Sequence, residues 1–146
     1  MAGSKGYYKR DDEILAVVSG FENCTTLDSE FNHAAHLTVA LFYLQLSRLT
    51  VTQATERIRV GLYRFLEHYR QDRQIYNETI TLFWVKLVKG FLDRTDTTRS
   101  LSDIANEMIE SFGSSQIIYH YYTKERLLSE EARNAWVEPD VKPLSF

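Results

Sequence analysis

Two histidines three residues apart, His33 and His36, head the chemically capable residues of this chain. They stand in Phe31-Asn32-His33-Ala34-Ala35-His36-Leu37, where Asn32 is a good helix N-cap. On the first turn of the helix that follows, positions i and i+3 are neighbours. The two imidazoles can therefore converge on one metal ion, one proton or one hydrogen-bonding ligand. At 100° per residue, Ala40 and Tyr43 share their row and Leu37, Leu41 and Leu44 form the adjoining one, so the pair borders the core. The same spacing also suits two structural histidines bonded to a carbonyl or a tyrosine. Catalytic zinc and non-haem iron need a third protein ligand, for which Glu78 and His120 are the candidates.

A second constellation is Tyr76-Asn77-Glu78-Thr79-Ile80-Thr81-Leu82-Phe83-Trp84. Measured against the face of Ile80, Phe83, Trp84, Leu87 and Val88, Asn77 and Thr81 lie beside Trp84, whereas Glu78 points away. Asn77 then caps a helix and Glu78 complements its dipole. A functional reading adds a polar end to a Trp-lined pocket. A third stretch, Tyr119 to Leu127, groups Tyr119, His120, Tyr121, Tyr122, Lys124 and Arg126. His120 can orient or exchange a proton, Arg126 can clamp a carboxylate or phosphate, and Tyr122 can line a ligand. The alternative is a connecting segment whose tyrosine rings simply pack. G-x-S-x-G, P-loop and G-x-G-x-x-G motifs are absent.

The elements that position these residues read as helices. Ile14, Leu15, Val17, Val18 and Phe21 make a short first helix ending near Gly20 and Asn23. The second runs from about His33 to Leu46. Thr50 or Thr52 caps a third, with Ala54, Ile58, Gly61, Leu62, Phe65 and Tyr69 as its buried stripe. The fourth starts near Asn77, and Ser100 or Ser102 caps a fifth, for which Gly113 suits a left-handed C-terminal position. Residues 115–128 read as helical or irregular, because IIYHYY has no second strand to pair with. Ser129 opens a last short helix. Both prolines, Pro139 and Pro143, lie in the last eight residues. The expectation is an all-α bundle of five to six helices over residues 11–138, with a flexible tail at 1–10 and an extended tail at 139–146.

Composition sets the outer bounds. The 146 residues are 44% hydrophobic and 25% charged, ordinary for one soluble globular domain. Aromatics reach 13%, more than a minimal helical core needs. A lone cysteine, Cys24, excludes an internal disulfide and a Cys-based metal knuckle. Met1 to Asp12 is polar, and the longest uncharged apolar stretch, Ala34 to Leu46, is too short to span a bilayer, so the expected compartment is cytoplasmic, with no membrane partner. Residues 51–100 carry nine basic and six acidic groups, although the net charge is −3. The acids Glu56, Glu67 and Asp72 interrupt Arg57, Arg59, Arg64, Arg70 and Arg73, which argues against nucleic-acid binding. Tyr7, Tyr8 and Phe146 offer apolar termini for a second copy, so a homo-oligomer stays open.

The runs F-x-H-x-x-H-L, Y-x-E-T-I-T-x-F-W, H-Y-x-x-E-R-L-x-S-x-E-A-R and V-E-P-D-x-x-P-L, over about residues 28–144, resemble a family of small, mostly uncharacterised bacterial proteins. The resemblance implies no particular activity. In that family Asn77 is often a histidine. A family site of three histidines would keep His33 and His36 here and substitute an amide, a weak metal ligand, which puts a divalent metal in doubt and leaves the cofactor unknown. Two functions remain: a small-molecule-binding protein, with or without His33/His36 acid–base or metal chemistry, and a non-catalytic helical interaction or regulatory module. Tyr43, Asn77, Thr81, Trp84, Tyr122 and Arg126 are the ligand-binding candidates for the first. His33, His36, Glu78 and His120 are its catalytic ones.

Overall fold

Side-chain caps start the helices where the sequence places them. In the computed structural model, which describes residues 7–146, α1 spans Asp11–Glu22, α2 His33–Leu41, α3 Val51–His68, α4 Glu78–Asp93 and α5 Leu101–Phe112. Two short helices follow, α6 at Lys124–Leu127 and α7 at Glu130–Asn134. Asn32, Thr50, Asn77, Ser100 and Ser129 each accept a hydrogen bond from the backbone N–H three residues on, at 2.9–3.2 Å. Such caps contribute about 1 kcal/mol each. No strand occurs among the described residues, so the protein is all-α. The ambiguous segment is a 3-10 turn, Ser115–His120, leading into α6.

The uncharged stretch beginning at Ala34 becomes the centre of the fold. Ala35 and every residue from Leu37 to Leu41 are buried, and α1, α3, α4 and α5 all pack on α2. A helix apolar all round is stable only when surrounded in this way. It widens into a π turn, Phe42–Leu46, where the Ser47 N–H reaches the Phe42 carbonyl at 3.0 Å. α1 meets α3 at Gly61, where a Cβ would fall 2.5–2.6 Å from carbons of the Phe21 ring. α3 pairs with α4, and α7 closes over α4. No helix among the described residues is long and apolar enough to cross a membrane.

Three expectations need correction. Gly113 has φ −70°, so it ends α5 in right-handed geometry, and the left-handed positions among the described residues are Cys24, Arg48 and Arg70, at φ 56–59°. Residues 139–146 are irregular but docked. The Val141 N–H donates to the Tyr121 carbonyl at 2.9 Å, Asp140 accepts from the Thr123 N–H and hydroxyl, and Phe146 packs against Phe83 and Tyr121 at 5.4 and 5.7 Å between ring centres. At the other end residues 1–6 lie outside the described residues, but the tail does not extend to residue 10. Tyr8 is buried, exchanges two 2.7 Å hydrogen bonds between its backbone and the Asn106 side chain, and shares a hydroxyl bond with Thr38. Tyr8 and Phe146 thus pack on their own chain.

Candidate functional site

A cavity of about 500 Å³ lies where the N-terminal turns of α2 and α4 meet α3, with the Ser115–His120 turn against it. His33 and His36 enter it from α2, Asn77, Thr81 and Trp84 from the start of α4. Leu62 and Phe65 of α3 supply apolar wall, and Ile118 and Tyr119 come from the 3-10 turn. Five of the residues singled out in the sequence, from two segments more than forty residues apart, therefore share one space.

Each histidine is fixed by a different neighbour. The His33 ring packs edge-on to Trp84, 4.4 Å between centres, and its Nε2–H donates to the Phe112 carbonyl at 3.1 Å. A carbonyl only accepts, so in the neutral ring Nε2 carries the proton and Nδ1 keeps its lone pair. The His36 ring lies 4.3 Å from Phe31, which in turn stacks flat on Phe21 at 4.8 Å. Neither His36 nitrogen has a hydrogen-bond partner among the described residues, and neither is sealed from the cavity. Burial lowers the His36 pKa to about 4, helped by the nearby His33, because the cation loses its hydration. Burial also lowers His33, against the opposing effect of the Phe112 carbonyl. Both rings are neutral at pH 7.

Asn77 is spent on structure. Its Oδ1 accepts from the Ile80 N–H and its Nδ2 donates to the Leu127 carbonyl, each at 2.9 Å, so it ties α4 to α6 while one side faces the cavity. Thr81 and Trp84 line the cavity, and no protein acceptor lies within hydrogen-bonding distance of the Trp84 indole N–H among the described residues.

Other candidates lie elsewhere. Glu78 is outside the cavity, held by Arg59 through two hydrogen bonds of 2.9 and 3.0 Å and by the Tyr76 hydroxyl at 2.6 Å. Burial would raise its pKa, but Arg59 and Tyr76 outweigh that and hold the carboxyl below its ordinary value. His120 is exposed, because the 3-10 turn directs Ile118 inward instead. Neither can join His33 and His36, and among the described residues no three His, Cys, Asp or Glu side chains converge to hold a metal ion. Tyr122 is fully buried with its hydroxyl on the Val137 carbonyl at 2.6 Å, and the Arg126 Nε donates to the Glu138 carbonyl at 2.9 Å. Those two residues hold the C-terminal segment rather than a ligand.

Tyr43 shares the row of His36 but sits seven residues on, about 10 Å along the helix axis. Its hydroxyl donates to Glu22 at 2.5 Å and the Arg57 guanidinium covers its ring at 5.2 Å, in a separate surface groove of about 670 Å³. Burial first, then the Glu22 bond, pushes its pKa well above the usual phenol range. The arginines of the basic segment are largely engaged at home: Arg59 on Glu78, Arg64 on the Glu22 carbonyl, Arg73 over the Tyr63 ring at 3.9 Å.

Two wall residues have a sequence signal that composition alone conceals. Phe31 and Tyr76 each precede an Asn cap, and each lies against the fourth residue of its helix, Phe31 on His36 and Tyr76 beside Thr81. This is the contact of a hydrophobic staple, which makes the doublet aromatic-Asn readable as a helix entry whose ring folds inward. No protein-family model, curated protein or solved structure matches this chain.

Proposed function

We propose that the protein binds a small molecule in the cavity between α2, α3 and α4. The observation that carries this reading is His36, a half-buried imidazole on the cavity wall with no hydrogen-bond partner for either ring nitrogen among the described residues. Its ring nitrogens open onto the cavity, where a ligand or an ordered water can supply the hydrogen bonds that the described chain does not. The cavity volume also falls within the range of small-ligand sites, roughly 300–1,000 Å³.

Binding is a better reading than acid–base catalysis. A general base works best with its pKa near the working pH, and a pKa of about 4 makes His36 a weak one at neutrality. Its neutral ring is instead a fixed hydrogen-bonding group. The test is a ligand-observed NMR screen of fragments that differ in charge and ring content, repeated on Thr81→Phe, which fills the cavity from α4. Bound fragments are expected to move resonances of His33, His36 and Trp84, and to be lost in a folded Thr81→Phe protein. No fragment at the cavity, or binding that survives the filling, removes the proposal.

A further inference from the structure

Resting on that reading of the cavity, we infer that its ligand is an uncharged planar ring compound bearing a hydrogen-bond donor, of the phenol, indole or azole class, and that the donor pairs with His36. No lysine or arginine of the described residues lines the cavity, and burial holds both histidines toward their neutral forms, so an anion meets no counter-charge there. The N-terminal dipoles of α2 and α4 offer only partial charge, and Asn32 and Asn77 already use one N–H at each end. The one carboxylate that the described residues place at the cavity, Asp28, is exposed at the rim, where Gln71 bonds it at 3.3 Å. A cation taken inside would lose its hydration without a partner at depth, the same penalty that lowers His36.

Shape and hydrogen bonding select a flat ring that carries a donor. Phe31, Phe65, Tyr76, Trp84 and Tyr119 present rings to the space, which favours a flat apolar body over a branched or strongly hydrated one. A neutral imidazole keeps one lone pair whichever nitrogen holds the proton. His36 has one, His33 has another at Nδ1, and no donor of the described chain satisfies either. The His36 N–H is unpaired as well, so a ligand hydroxyl or azole, which donates to a lone pair and also accepts from that N–H, supplies both missing groups.

Four probes sharing the naphthalene ring separate these elements by calorimetric titration at pH 7.5: 2-naphthol, 2-methoxynaphthalene, 2-naphthoate and 2-naphthylmethylammonium. The expected order puts 2-naphthol first, with the methyl ether about tenfold weaker for the lost donor and both ions weaker still. His36→Leu should bring 2-naphthol to the level of the ether. As a second measurement that needs no variant, 2-naphthol should shift the His36 ring protons of the wild-type protein. Equal or tighter binding of either ion, or no difference between naphthol and its ether, overturns the ligand class while leaving a small-molecule cavity standing. If none of the four moves a cavity resonance and the fragment screen is also silent at the cavity, the cavity reading itself falls with it.

Discussion

Replacing His36 with leucine should flatten the response of stability to pH between 7.5 and 5. The folded ring has a pKa of about 4 against an ordinary value of 6.5, so the unfolded chain binds the proton more readily. The stabilisation linked to the neutral ring is fully present above pH 6.5 and is lost as the pH falls through the window down to about 4. A difference of about 2.5 units at 1.36 kcal/mol each gives about 3 kcal/mol in all, of which about 2 kcal/mol is already lost at pH 5. The groups around the ring support a low value: His33 on the same helix repels the cation, the Asp28 carboxylate is at the exposed rim, and no other acid of the described residues lines the cavity. Carboxylates with lowered pKa values, Glu78 among them, protonate below this window and do not obscure it. Urea unfolding at pH 7.5, 6.5, 5.75 and 5 measures the effect as the difference between wild type and His36→Leu. That difference should change by about 2 kcal/mol across the series, the variant gaining relative to wild type as the pH falls. Parallel curves would show that His36 titrates alike in both states and would refute the burial argument.

Other perturbations test the frame around the cavity. Asn77→Ala removes a cap and the bond to Leu127, and should cost about 2–3 kcal/mol in urea unfolding, while Asn77→Ser keeps a capping oxygen and should cost about half as much. Equal losses would mean that the cap contributes nothing. Gly61→Ala places a methyl against Phe21 and should lower stability by about 1–2 kcal/mol despite alanine's better helix propensity. A raised melting temperature would contradict the close approach of α1 to α3. Arg70→Gly relieves an exposed left-handed residue after α3 and should stabilise the protein by about 0.5–1 kcal/mol in thermal unfolding. Thr55→Val removes a buried hydroxyl that has no hydrogen-bond partner among the described residues, and should raise stability by up to about 1 kcal/mol in the same assay.

What the sequence made legible was local. A cap needs only a side chain and an amide three residues on, so Asn32, Thr50, Asn77, Ser100 and Ser129 marked their helices directly. The stripes placed Phe65, Phe83, Phe91 and Phe112 in the core; the first three are buried, and Phe112, the last residue of α5, packs against the core only partly buried. Helical phase also brought His33, His36, Asn77, Thr81 and Trp84 to one cavity, although nothing in it says that two faces from different helices must meet. Phase fixes direction around an axis but not position along it. Tyr43 therefore shared a row with His36 and still landed beside Glu22 and Arg57. Glu78 found Arg59 because α3 packs on α4, a tertiary choice. Arg126 looked free for a ligand until the chain after Val137 came back to occupy it with the Glu138 carbonyl.

The two helix entries that build the cavity sharpen the case for His36. At the start of α4 the staple position after Tyr76 and the Asn77 cap holds Thr81, which can satisfy a hydroxyl locally. The equivalent position after Phe31 and Asn32 is His36, where the device calls for a side chain that packs on the aromatic ring and asks for nothing more. Leucine meets that demand without an unpaired nitrogen and without a proton to exclude. A neutral imidazole packs there less favourably, and the cost grows as the pH falls. His36→Leu should thus be at least as stable as wild type at pH 7.5 and unable to pair with a ligand donor. That combination, stability kept and binding lost, separates a residue placed for a ligand from one placed for the fold.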